Sequence, residues 1–295
     1  MSKGVWYGIA ANVAWGLSPI YWKQLDQLPA PVLVAHRVLW SVLTLGVLFL
    51  LFRHRYRFES RPPARRIVGV CVLAAVLICT NWLIYVWAVT TGVIVEASLG
   101  YFITPLVSVG LGVLILRERL RPGQWAAVGL ASIGLLYLTA SVGGLPWIAL
   151  ALAATFGLYG LVKKTSPLGA VQGLAAESGL LFLPAAAFLL WGPDGTPPGA
   201  LDNGVGLLLL AGSGIVTVLP LLLFAASVRR IPLSLLGIIQ YLAPTLQFLL
   251  GVLIYGEPLS RTQLIGYGLV WGALILFGAE GLYAQRAHPM PTSRA

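Results

Sequence analysis

The sequence predicts an all-α integral membrane protein: ten transmembrane helices arranged as two five-helix repeats of inverted topology. Three observations lead there. Of 295 residues, 58% are hydrophobic and only 9% charged, with a mean hydropathy of +0.89. A soluble domain has no use for so much apolar surface, so lipid is the solvent for most of the chain. Second, Leu111-Gly112-Val113-Leu114-Ile115 recurs, letter for letter, as Leu250-Gly251-Val252-Leu253-Ile254. At the same offset Pro105 falls on Pro244, Glu118 on Glu257, Leu120 on Leu259, Gln124 on Gln263 and Gly129-Leu130 on Gly268-Leu269. One unit is written twice, as in transporters whose two halves enclose a site at mid-bilayer. Third, basic residues crowd alternate loops, which sets the orientation of each span.

A span needs about 20 mostly apolar residues. Cutting at charge clusters, glycine and proline leaves ten candidates. The first, 4–22, has the look of a signal peptide but lacks a small-x-small cleavage site and runs into Trp22-Lys23, so it reads as a retained helix. The second, 31–52, ends at the arginine-rich stretch from Arg53. The third, 67–89, holds the two cysteines, Cys71 and Cys79. Eight residues along a helix is about 12 Å, too far for a disulfide, so both read as small buried side chains. A tight Thr90-Thr91-Gly92 turn parts this span from the fourth, 92–116, and the fifth is 122–141. The second half supplies 145–163, 168–191, 204–227, 232–255 and 261–283. The repeats are thus 1–143 and 144–284, and the polar tail 285–295 is expected to be cytoplasmic and disordered.

Ten spans put both termini on one side. With the termini in the cytoplasm, the inner segments hold Lys3, six arginines between Arg53 and Arg66, Arg117, Arg119, Arg121, Lys163, Lys164, Arg229, Arg230, Arg286 and Arg294, sixteen of the 19 basic residues. The outside keeps Lys23 and Arg261, and Arg37 lies within a span. This distribution carries the net charge of +10 and excludes nucleic acid as its purpose. Five spans per half is odd, so the second copy sits upside down. The charges agree: the loop 53–66 has as counterpart 192–203, with Asp194 and Asp202 and no basic residue, and Arg117-Glu118-Arg119 becomes Gly256-Glu257-Pro258.

Charge inside a span is costly, about 2.5–3.5 kcal/mol at the centre on insertion scales. Arg37 (beside His36) and Glu96 lie at comparable depth from the outer side, with Asn81 near that level. Two readings stand: a buried ion pair that fixes packing or gates the outer mouth, or direct contact with a substrate. Glu177 lies near the midplane, about 15 Å deep, and is the repeat partner of Arg37. It reads either as a protonated carboxyl bonded to a neighbouring helix or as a substrate or proton site. Asn12, Gln172, Gln240 and Gln247 serve helix contacts or a ligand. Glu118 and Glu257 repeat at span ends and read as structural. Pro105 and Pro244 free the carbonyls of Tyr101 and Gln240. They read as packing kinks or as bends around a cavity lined by Asn12, Trp15, Trp82, Tyr101, Glu177, Gln240 and Tyr241. Trp22 and Trp191, at span ends, read as interfacial belt, whereas Trp15, Trp82 and Trp87 lie deeper and are placed to stack on a ligand. Glycines such as Gly110 and Gly112 are expected to allow close helix approach.

The chain has no G-x-x-x-x-G-K-[ST], H-E-x-x-H or G-x-S-x-G, and no acidic pair spaced for a metal, so no cofactor or metal is expected.

The stretches Trp15-Gly16-Leu17-Ser18-Pro19-Ile20-Tyr21-Trp22-Lys23, Ala35-His36-Arg37-Val38-Leu39-Trp40-Ser41, Asn81-Trp82-Leu83, Glu96-Ala97-Ser98-Leu99-Gly100-Tyr101-Phe102 and Gln240-Tyr241-Leu242-Ala243-Pro244-Thr245 resemble the RarD proteins, in the EamA branch of the drug/metabolite transporter superfamily. The resemblance runs from about 4 to 285. It implies ten helices in two inverted repeats, cytoplasmic termini, and a bacterial inner-membrane permease working by alternating access. The family name is associated with chloramphenicol sensitivity and assigns no substrate.

The expectation is a secondary active transporter, not an enzyme, that exports small amphipathic metabolites or drugs, with proton coupling through Glu177 as a candidate. The partners are a small-molecule substrate and the lipid bilayer, a homodimer being open. An importer is the alternative. A lipid-modifying membrane enzyme would need a catalytic cluster the sequence does not show, and a receptor would need a soluble domain.

Overall fold

A computed structural model describes residues 2–52, 63–91, 93–140, 145–191, 204–256 and 260–287. The arginine-rich stretch 53–62, Gly92, the acidic loop 192–203, Glu257 with Pro258 and Leu259, and the tail 288–295 lie outside the described residues. The described chain is helical: α1 Lys3–Trp22, α2 Ala30–Phe52, α3 Ala64–Thr90, α4 Ile94–Leu114, α5 Pro122–Ala140, α6 Trp147–Thr165, α7 Ala170–Trp191, α8 Gly204–Val228, α9 Leu233–Gln240, α10 Leu242–Leu253 and α11 Arg261–Ala287. Among the described residues, nine segments are long and apolar enough to cross a membrane, α9 and α10 together making one. The protein is a multi-pass membrane protein. Helix α1 has 20 residues but falls outside those nine, because its tryptophans, tyrosines, glycines, Asn12, Ser18 and Pro19 lower its mean hydropathy.

Several boundaries differ from the sequence reading, each for a local reason. Helix α3 starts at Ala64 and takes in Arg65 and Arg66, whose long stems let the charge reach polar surroundings from a helix end. Helix α11 runs to Ala287, so residues 285–287 of the expected tail are helical. Helix α6 continues to Thr165 and draws Lys163 and Lys164 into its last turn; neither is a loop charge. The ninth span is broken in two at Tyr241, as Pro244 predicts. With no N–H at 244 the Gln240 carbonyl loses its helical donor. Tyr241 N–H turns back to Ile238 O at 3.2 Å. The expected kink at Pro105 does not interrupt α4, which is a continuous helix from Ile94 to Leu114.

Packing is pairwise. Helix α1 lies against α8 and α10, α2 against α7 and α8, α3 against α6 and α7, α4 against α6 and α9, and α5 against α11. Gly237 sets the α4–α9 approach, since a Cβ there would stand 2.7 Å from the Pro105 carbonyl oxygen. Gly112 is likewise crowded, by Glu118 and the Ser234 N–H, whereas nothing lies within 4 Å of the same point on Gly110, which therefore plays no part in close approach.

The duplicated Leu-Gly-Val-Leu-Ile sits in the last turns of α4 and α10, and its geometry repeats as closely as its letters. Leu116 N–H reaches Leu111 O at 3.2 Å, and Tyr255 N–H reaches Leu250 O at 3.1 Å. Both turns then pass through a left-handed residue, Arg117 at φ 55° and Gly256 at φ 67°. The following helices are opened by matching glutamines, Gln124 accepting from Arg121 N–H at 2.9 Å and Gln263 from Ser260 N–H at 3.1 Å. Such closures satisfy the orphan groups that helix ends leave, which lipid cannot.

One end of the bundle gathers basic groups. There Gly4 packs on Arg230 and Ile231, and Lys164 donates to the Val228 and Ile231 carbonyls at 3.0 and 2.7 Å. Arg121 pairs with Glu280 at 3.0 Å, and Arg229 bonds the Ser166 and Leu168 carbonyls. The opposite end carries Lys23, Asp26 and Arg261 at the helix termini.

Candidate functional site

A cavity of about 530 Å³ lies among α1, α2, α3, α4, α6, α8, α9 and α10. It extends from Asn12, Thr217 and Gln240 inside the bundle to Leu25, Asp26 and Leu28 in the α1–α2 connection, at the end opposite the basic groups. That volume suits a small-molecule site. Its walls are aromatic and amide-bearing. Tyr101, with 43% of its surface accessible, and Tyr85 sit edge to face at 6.0 Å, and Trp15, Trp82, Asn81, Gln240 and Gln247 also face the space.

The amides are largely held by backbone. Asn12 donates to the Gly8 carbonyl at 2.8 Å, and Gln247 to the Trp15 carbonyl at 3.2 Å. Asn81 donates to the Leu152 carbonyl and to Thr155 Oγ1, both at 2.9 Å. Gln240 is buried, and its Oε1 has no partner among the described residues. Pro244 lines the same wall one turn beyond the break at Tyr241. Pro105 does not face the cavity; its carbonyl lies against Gly237.

Arg37 projects from α2 into the cavity. Its Nε donates to Thr217 Oγ1 at 3.1 Å, and the guanidinium lies 4.7 Å from the Trp22 ring and 5.1 Å from that of Trp82. The expected pairing of Arg37 with Glu96 is not present. Glu96 points the other way and accepts from the Ile148 N–H at 2.8 Å, satisfying the start of α6. Equal depth along two helices does not bring side chains together when they face different neighbours. Trp22 is a cavity wall rather than a belt residue, whereas Trp87 is 45% exposed and packs on Trp147 at 5.5 Å, away from the cavity.

The floor of the cavity is a stack of rings. Trp15 touches Phe156 and Phe224 at 5.6 Å each, and Phe156 and Phe224 meet at 5.3 Å. Below them Tyr159 lies nearly parallel to Phe224 at 6.3 Å. Tyr159 then donates its hydroxyl to Glu177 Oε2 at 3.0 Å, and Lys163 Nζ bonds Glu177 Oε1 at 2.7 Å. Both charged side chains are only 4% exposed. Glu177, expected to line the substrate cavity, is thus on its far side, beyond Trp82, Thr217 and Leu221, beside a separate void of about 10 Å³. Tyr241 is also excluded from the cavity: it is 1% exposed in the core, and its hydroxyl has no partner among the described residues.

The sequence offers Lys163 only as a cytoplasmic charge and gives no reading for Thr217 and Phe224. For Lys163 a signal exists: Tyr159 and Lys163 are four apart on α6 and share a face, whereas Lys164 turns about 100° away.

The family model described as EamA-like transporter matches the chain twice, at residues 2–140 and 144–279. The chain belongs to this family. Relatives include Protein RarD of Streptomyces exfoliatus, 44% identical with 96% of this chain and 90% of the relative covered. Another is the uncharacterized transporter YojE of Bacillus subtilis, 43% identical with 97% and 96% covered. A third, the chloramphenicol-sensitive protein RarD of Pseudomonas aeruginosa, is 32% identical with 94% and 93% covered. A solved crystal structure overlays with a TM-score of 0.69 at 19% identity, covering 93% of this chain and 97% of its own, which shows a shared fold. As an EamA-like chain the protein is a membrane transporter. Its two family matches meet in the described bundle around the cavity, with the Trp22–Arg37–Trp82 cluster at one level and the Tyr159–Glu177–Lys163 cluster beneath the floor.

Proposed function

We propose that this protein is a secondary active transporter of the bacterial inner membrane. It exports small amphipathic metabolites or drugs by alternating access, and the structure corresponds to its outward-facing state. The observation that carries the reading is the cavity of about 530 Å³, which reaches the α1–α2 connection and is floored by rings and a buried ion pair on the other side. In this reading the basic end faces the cytoplasm, both termini lie there, and α1 is a tenth span.

The packing supports two inverted halves. Exchanging α1–α5 for α6, α7, α8, α9/α10 and α11 turns the α1–α8 contact into α6–α3, α2–α8 into α7–α3, and α4–α6 into α10–α1, and every one of these contacts exists. Arg37 and Glu177 then occupy equivalent places, one beside the open cavity and one beneath the closed floor. Alternating access exchanges the two environments: opening inward requires the Lys163–Glu177 pair to part and the rings of Phe156, Tyr159 and Phe224 to separate. A proton taken up by Glu177 removes the charge that holds Lys163, which couples proton movement to inward opening.

The test is flux of a compound panel, chloramphenicol included, in proteoliposomes with and without a pH gradient. Gradient-dependent flux of at least one compound is expected. No gradient-sensitive flux across the panel refutes the transport reading, and normal gradient dependence in Glu177→Gln refutes the proton role.

A further inference from the structure

The geometry points to organic anions with a flat apolar body as the substrate class, gripped at the anionic group by Arg37; this rests on the transporter reading. Arg37 is a full positive charge at membrane depth, and among the described residues no carboxylate lies within 4.0 Å of it. Asp26 lines the same cavity, in the α1–α2 connection. A cation buried for packing alone normally comes with a counter-ion.

What holds Arg37 orients it without neutralising it. Thr217 takes only the Nε hydrogen, and Trp22 and Trp82 offer their ring faces. Cation–π contact steadies a guanidinium while leaving its N–H donors available. The four N–H groups on the two Nη atoms have no acceptor among the described residues, and the guanidinium lines the cavity. A fork of parallel N–H donors matches the two oxygens of a carboxylate, or of a sulfonate or phosphate ester. The same cavity offers the rest of a ligand an apolar surface, the rings of Trp15, Trp82 and Tyr101. The ligand's charge would thus supply the counter-ion that the helices do not.

Binding to purified full-length protein is read by tryptophan fluorescence with three probes of one shape: 3-phenylpropionate, 3-phenylpropanamide and 3-phenylpropylamine. The carboxylate is expected to bind at least about tenfold tighter than the amide or the amine, the scale of a charge-assisted bidentate contact. Arg37→Gln is expected to bring the three within about twofold of each other. Equal binding of all three by the wild type, no binding of the carboxylate, or a preference retained by Arg37→Gln overturns the assignment. Should Arg37→Gln fail to fold, Arg37→Lys and Thr217→Val replace it: a weakened carboxylate preference in both supports the proposal, and an unchanged one in both overturns it. Flux separates the two levels of argument. If proteoliposomes carry neutral or cationic compounds while the carboxylate does not bind, the anion assignment fails and the transporter reading stands. If the carboxylate binds and nothing moves, the transporter reading fails and the site remains.

Discussion

Replacing Glu177 by glutamine leaves the Lys163 ammonium buried beneath the cavity floor with an uncharged partner. Both side chains are 4% exposed, so solvent screening offers little relief. Removing one partner of such a pair typically costs about 3–5 kcal/mol. The lone group can escape by neutralising, which caps that cost. At pH 7 the cap is about 5 kcal/mol for an ordinary lysine and about 4 kcal/mol for an ordinary glutamate. The inward-closed state should therefore lose up to about two and a half to three and a half orders of magnitude against the inward-open one. Cys71 on α3 reports this: it is buried, and close enough to Glu177 and Lys163 for their charges to act on its thiol. In a Cys79→Ala background, a membrane-impermeant maleimide added at the basic end should label Cys71 slowly in the parent. Labelling should be much faster in Glu177→Gln and in Lys163→Met. The two variants should respond to pH in opposite senses. A lone carboxylate is relieved at low pH, so Lys163→Met closes again as pH falls; a lone ammonium is relieved at high pH, so Glu177→Gln closes as pH rises. The double variant Lys163→Met/Glu177→Leu has no stranded charge and should label as slowly as the parent. Single variants that label like the parent, or a double variant as fast as the singles, would refute the latch.

Other substitutions test the scaffold. Glu118 receives the N–H groups of Leu233 and Ser234 at 2.7 and 2.8 Å and the Ser234 hydroxyl at 2.6 Å. Glu118→Ala therefore uncaps α9 and should cost about 1–2 kcal/mol, read as a lowered melting temperature in detergent with probe binding unchanged. Gly237→Ala drives a methyl against the Pro105 carbonyl and should melt lower and transport poorly. Gly110→Ala meets open space and should melt at the same temperature or slightly higher, and the reverse order would contradict the packing. Tyr241→Phe removes a buried hydroxyl that no described residue satisfies, so its melting temperature should hold or rise; a clear loss of stability would show that the hydroxyl has a partner.

Much of the fold was legible because lipid imposes few rules and enforces them strictly. Apolar length marks the spans, and the repeated Leu-Gly-Val-Leu-Ile marks a helix ending whose hydrogen bonds recur at 116 and 255. The wall residues Asn12, Trp15, Trp82, Tyr101 and Gln240 were also within reach, since polar and aromatic groups deep in a span need an inward outlet. Facing direction was not. Arg37 and Glu96 share a depth, yet Glu96 turns to α6 and Arg37 to α8, because azimuth depends on neighbours from the other half of the chain. Lys163 was hidden by its position: lysine near a span end is ordinarily solvated by snorkelling, and only its shared face with Tyr159 hints otherwise.

Position 117 and its copy at 256 show two selective demands meeting on one backbone bend. Both residues adopt the left-handed conformation. That turn favours glycine, and a side chain there costs about 1–2 kcal/mol. In the second copy nothing opposes the preference, and glycine stands. In the first, the turn lies at the basic end, which faces the cytoplasm in the proposed orientation, where an arginine counts toward positive-inside placement. Arg117 is strained where Gly256 is relaxed, and the opposite facing proposed for the two halves accounts for the difference. An arginine-for-glycine exchange between the two turns would ease one bend, strain the other and, in the proposed orientation, move a vote on topology from one side of the membrane to the other.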